Sequence, residues 1–154
     1  MNSYSQLLRY IKQLGEEDIF INTITQGDFE KVDLKKKTIF PLQHVSIGNA
    51  SFPSHSVIRY DVQLGVFDIR DINKEINEDN FNLNDNEQDN LNETLASINR
   101  IWLKMSKDFD DNNITASDNP ALEIQTFVKT NLIDGWIMTF QVDMPNTNLN
   151  LCSP

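Results

Sequence analysis

Cysteine is nearly absent: Cys152 stands alone in 154 residues, so no internal disulfide can form and no oxidising compartment is required. Glycine is scarce, and its five copies are scattered, which leaves no Gly-rich loop of the GxxxxGK[ST] kind to cradle a phosphate. GxSxG, HExxH and CxxC are missing too. Histidine occurs twice, as His44 in a candidate strand and His55 beside Pro53 in a turn. Neither has acidic neighbours at the spacing a metal site needs, so no metal and no organic cofactor are expected. Basic side chains are outnumbered, 13 Lys and Arg against 23 Asp and Glu, for a net charge of −10. Phosphates would be repelled, which argues against general binding to nucleic acid or to an anionic membrane. No apolar run approaches the roughly 20 residues that span a bilayer. The opening "MNSYSQLLRYIKQLGEED" has no charged segment leading into an apolar one, so no signal peptide is read. A soluble protein made in the cytoplasm, with no membrane partner, is expected.

Hydrophobic residues make up 39% of the chain, enough for a core. A single domain over 1–154 is expected, burying roughly 68–70% of its unfolded surface. Tyr4, Leu7, Leu8, Ile11 and Leu14 recur at helical spacing between an N-cap candidate, Ser3, and a stop candidate, Gly15. "DIFINTIT" (18–25) reads as a strand and "QGD" (26–28) as a turn. Pro41 favours an edge, a bulge or a strand start; Leu42 to Ile47 reads as a strand closed by a Gly48-Asn49 turn. It forms a hairpin with a long strand in which Ile58, Tyr60, Val62, Leu64 and Val66 share a face. Leu91, Leu95, Ile98, Trp102, Met105 and Phe109 mark a second, amphipathic helix over 88–107. A polar loop (108–120) and a strand (121–130) come next, then a final strand with Trp136, Met138, Phe140, Val142 and Met144 on one side. Residues 145–154 read as a C-terminal tail. This order predicts an α+β fold: an antiparallel sheet of about four to five strands, packed against the N-terminal and second helices. The final strand should lie mid-sheet under the second helix, with Trp136 and Trp102 buried in one core between them.

Chemistry-bearing patterns are few. In "DFDDNN", Asp108, Asp110 and Asn112 imitate the start of a calcium loop, but Asn113 stands where glycine is needed and Asn119 where glutamate is needed. No carboxylate pair is tied to an apolar cleft, so no catalytic residue is named and no enzyme is expected. Asn49-Ala50-Ser51, Asn92-Glu93-Thr94 and Asn113-Ile114-Thr115 match the glycosylation pattern, as chance provides in an Asn-rich chain. Lys35, Lys36 and Lys37 form one basic cluster, read either as an edge guard or as a spike docking on an acidic patch of a neighbouring subunit. Residues 71–90, dominated by Asn, Asp and Glu, read as a long loop or lid. Within it Ile76, Phe81 and Leu83 are spaced to dock on a partner surface.

Three segments, "QGDFEKVDLKKKTIFPLQHVSIGNASF", "IRYDVQLGVFDIRD" and "DGWIMTFQVDMPNTNLNLC", resemble the tail-terminator and tail-completion (neck) proteins of tailed bacteriophages. They are most similar to the small ring-forming structural proteins of Bacteroidetes phages, including crAss-like phages. The resemblance covers nearly the whole chain and carries no catalytic residue. It implies a virion structural protein in a homo-oligomeric ring, six- or twelve-fold, at the head–tail junction or in the tail. Portal, neck or tail proteins would be its neighbours. DNA would pass through the channel without specific binding, since an acidic lining repels phosphates. An alternative of another class is a small acidic immunity protein or DNA mimic that blocks a basic nuclease by charge complementarity. A small-ligand-binding α+β protein or a hydrolase is a third, and would need a buried pocket with convergent polar groups.

Overall fold

Period-two alternation draws out three long strands, β2 (Leu42–Ser54), β3 (Val57–Ile69) and β6 (Leu132–Pro145). The computed structural model describes residues 3–28, 39–70, 87–112, 114–117, 119–128 and 132–146. Around those strands lie α1 (Ser3–Glu17), β1 (Thr23–Gln26), α2 (Glu87–Asp111), β4 (Thr115–Ala116) and β5 (Ala121–Val128). Among the described residues the sheet has six strands in the order β1-β2-β3-β6-β4, with β5 also paired to β6. The α+β class holds: two helices cover one face of a largely antiparallel sheet. Only the β1–β2 pairing is parallel among the described strands.

β6 lies between β3 on one side and β4 and β5 on the other, so it is central, as its apolar face requires. Val62, Leu64 and Val66 of β3 and Met138, Phe140 and Val142 of β6 are buried together against Leu7 and Ile11 of α1 and Ile98, Ile101 and Met105 of α2. Trp102 and Trp136 pack at the margin of this core, both partly buried, with the Trp102 ring edge-on to Phe140 at 5.7 Å. On the opposite face Phe40, Leu42, Phe67 and Ile133 form a smaller cluster. The Phe67 ring lies over Gly65 and Gly135, where an added Cβ would stand 2.5 and 2.6 Å from its carbons. An aromatic side chain thus covers one glycine of its own strand and one of the neighbouring strand.

Several boundaries differ from expectation, each for a local reason. Gly15 does not stop α1; it lies within the helix because a Cβ there would stand 2.6 Å from the buried Gln43 Oε1. Ser3 begins α1, and its hydroxyl is hydrogen-bonded to the Tyr60 hydroxyl at 2.6 Å. The first strand is shorter than 18–25, because Asp18 turns away to bind α2 through Ser97 and Arg100. Gln26 is still part of β1, and Gly27 forms a bend after it at φ 94°, a conformation that glycine adopts without strain. Gly48 is not a turn but a register shift inside β2, and the strand runs on to Ser54. Residues 87–90 belong to the first turn of α2 rather than to the acidic loop, and 108–111 to its last turn rather than to a polar loop.

The face of α2 also differs. Its buried line is Asn90, Thr94, Ser97, Ile98, Ile101, Met105 and Phe109, while Leu91, Leu95 and Trp102 are only half-covered. Polar residues can occupy that line because their groups are satisfied. The Thr94 hydroxyl donates to the Asn90 carbonyl at 2.6 Å, and the Ser97 hydroxyl to Asp18 at 2.9 Å.

Candidate functional site

The expected contact residues Lys35, Lys36, Lys37, Ile76, Phe81 and Leu83 lie outside the described residues, as do most of 71–90 and the tail beyond Asn146. The roots of the acidic segment are described. Arg70, the last described residue before it, grips Asp134 at the start of β6 with two hydrogen bonds, Nε to Oδ2 at 3.0 Å and Nη2 to Oδ1 at 2.6 Å. Glu87, the first residue after it, lies 3.2 Å from the same guanidinium. Asn90 adds Nδ2 bonds to the Ile69 carbonyl at 3.0 Å and to Asp134 at 3.4 Å. One arginine therefore ties both ends of the acidic segment to the sheet.

Burial and hydrogen bonding together set the titration of several described groups. Asp68 is raised above the usual carboxylate range, first by burial and then by the neighbouring Glu93 and Asp134 carboxylates. It lines none of the clefts described below. Burial alone would also raise Asp18, but donors from Arg100, Ser97 and the Phe20 amide outweigh it and hold Asp18 low. Tyr10 is raised by burial and by donating to the Asp108 carboxylate at 2.6 Å. Asp108 is thus a helix residue engaged with α1, not the first ligand of a calcium loop. His44 is lowered by burial; Nε2 donates to the Gly27 carbonyl and Nδ1 meets the Thr25 hydroxyl, each at 2.8 Å. Among the described residues no three His, Cys, Asp or Glu side chains gather closely enough to hold a metal ion.

Two surface features bear on assembly, at opposite edges of the sheet. One is a cleft of about 390 Å³ between α2 and β5, lined by Leu95, Trp102, Pro120, Leu122 and Met138 with Asn92 and Asn99 at its rim. It exists because α2 turns its polar line inward and leaves Leu95 and Trp102 half-covered. On β5, Leu122 and Ile124 pair with Met138 and Trp136 and so point to the helical side, yet α2 does not reach them. They stay 45% and 53% exposed. The other feature is the arm formed by the outer half of β2 and the turn into β3. Every residue from Gly48 to Ser56 is exposed, and Phe52 stands 69% open to solvent. β1 reaches only Leu42 to Val45, so beyond Val45 the outer edge of β2 is paired with no described strand.

Neither the Arg70–Asp134 tie nor the cleft was foreseen. The available signals were a lone carboxylate at the head of an apolar strand and the alternation of Leu122 and Ile124 in β5. The chain matches no protein-family model and no curated protein sequence.

Proposed function

We propose that the chain is a virion structural protein of a tailed bacteriophage. It assembles into a ring, six- or twelve-fold, at the head–tail junction or in the tail, beside portal, neck or tail proteins. The described order, α1-β1-β2-β3-α2-β4-β5-β6, differs only by the two-residue β4 from the helix–strand–strand–long strand–helix–strand–strand order that resembles the terminator fold. The observation that carries the proposal is the β2–β3 arm. Every residue from Gly48 to Ser56 is exposed, and Phe52, 69% open to solvent, is available to a neighbouring chain. Such an arm gains its burial from a neighbouring chain. The net charge of −10 fits a channel through which DNA slides without adhering.

Quantitative mass spectrometry of purified virions tests this: the chain should be present at a ring's copy number relative to the portal protein. Its absence from virions, with one-to-one binding to a basic nuclease that weakens steeply in salt, would favour the immunity-protein alternative instead.

A further inference from the structure

We infer that the arm of one copy docks in the α2–β5 cleft of the next, with Phe52 as the anchor, resting on the ring proposed above. The two features are complementary in chemistry. The cleft is apolar, with Leu95, Trp102 and Leu122 in its walls, and its volume of about 390 Å³ admits an aromatic side chain. Such a side chain buries about 150–250 Å² on insertion. Among the described residues Phe52 is the aromatic side chain most open to solvent, 69% against 41% for Tyr4, and it stands in the outer half of β2, beyond the reach of β1.

Charge selects the occupant. Copies of a chain with net charge −10 repel one another, so they can associate only through surfaces that bring no like charges together. Thr38 to Ile58, which includes the whole arm, contains no Asp, Glu, Lys or Arg. Among the described residues no charged side chain lines the cleft either. A basic partner would be met by carboxylates; this cleft offers asparagine and hydrocarbon, which suits a second copy of the uncharged arm.

Topology supplies the direction. The arm stands at the β2 edge and the cleft at the β5 edge, with β3 and β6 between them. A contact between different patches at opposite edges is heterologous, and it closes into a ring when the rotation between copies permits. Addition of a strand along β2 is disfavoured by Pro53, which has no N–H to donate, and by the irregularities at Gly48 and at Phe52-Pro53. Insertion of a side chain does not need that ladder.

Two single-cysteine chains, Ser51→Cys, which keeps Phe52, and Ala96→Cys, each in a Cys152→Ser background, are mixed under mild oxidation. Both positions are exposed in the subunit, so unchanged melting temperatures are expected. The mixture should give a disulfide dimer well above that from Ile19→Cys with Ala96→Cys, Ile19 being 93% exposed but outside both features. Phe52→Asp should abolish self-association, because it carries a carboxylate into the apolar cleft. A cross-linking yield no higher than the Ile19 control would overturn the docking. Rings in virions without this cross-link would leave the ring standing and refute the contact. The cross-link in a protein absent from virions would do the reverse.

Discussion

Asp134→Ala should destabilise the fold more than a typical surface charge deletion, because it strands a buried guanidinium. In the wild-type chain the Asp134 side chain is 0% exposed and that of Arg70 only 9%. Removing one member of a buried pair costs about 3–5 kcal/mol, since the remaining charge keeps its desolvation penalty without its partner. Glu87, 3.2 Å from Arg70 and 30% exposed, still offers some compensation, so a loss of about 3 kcal/mol is expected. Arg70→Met should cost at least as much, because Asn90 at 3.4 Å is a poor substitute donor for the buried carboxylate. The double variant Arg70→Met with Asp134→Leu removes both charges and should lose far less than the sum of the two single changes. Urea titrations of the four proteins, followed by far-UV circular dichroism, give the cycle directly. Single losses under about 1 kcal/mol, or additive ones, would show that the corner is wetter than its burial implies and that Arg70 does not hold the acidic segment's roots.

Trp136→Ala should cost about 3 kcal/mol, at the low end for a large core truncation, because the ring is only partly buried while its Nε1 donates to the Leu91 carbonyl at 2.9 Å. A loss below about 1 kcal/mol in guanidinium melts would contradict its role in seating α2 on β6. Asp68→Asn should stabilise the protein at neutral pH. The raised carboxylate means that the native state binds more protons than the unfolded chain between the unfolded value of 3.8 and the folded one, so stability falls as pH rises through that window. The gain over wild type should vanish as the pH drops below 3.8, and a gain that is independent of pH would refute the electrostatic cause.

The strands were legible where one face alone meets the core. Met138, Phe140, Val142 and Met144 alternate with solvent-side or charge-paired residues, and pairing along β3 left no competing register. Local turn chemistry misled where tertiary contacts overrode it. Gly48-Asn49 has turn propensity, yet pairing of Asn49, Ala50 and Ser51 with β3 carries the strand past it. Gly15 suits a helix end, yet its missing Cβ makes room for Gln43. The α2 stripe was misplaced because Thr94 and Ser97 find hydrogen-bond partners, a fact invisible to hydrophobic spacing. That rotation creates the cleft, which spacing alone could not have located. The Arg70–Asp134 pair spans 64 positions, and nothing local marks two such residues as partners. The acidic segment and the lysine cluster were the most conspicuous sequence features; the described residues place only the roots of the former.

A cryo-electron microscopy reconstruction of the head–tail junction and tail of the virions tests the ring most directly. A ring of this chain around the DNA channel is expected, with the β2–β3 arm of each subunit seated against α2 and β5 of its neighbour. A junction and tail fully accounted for by other proteins, with no density for this fold, would contradict it.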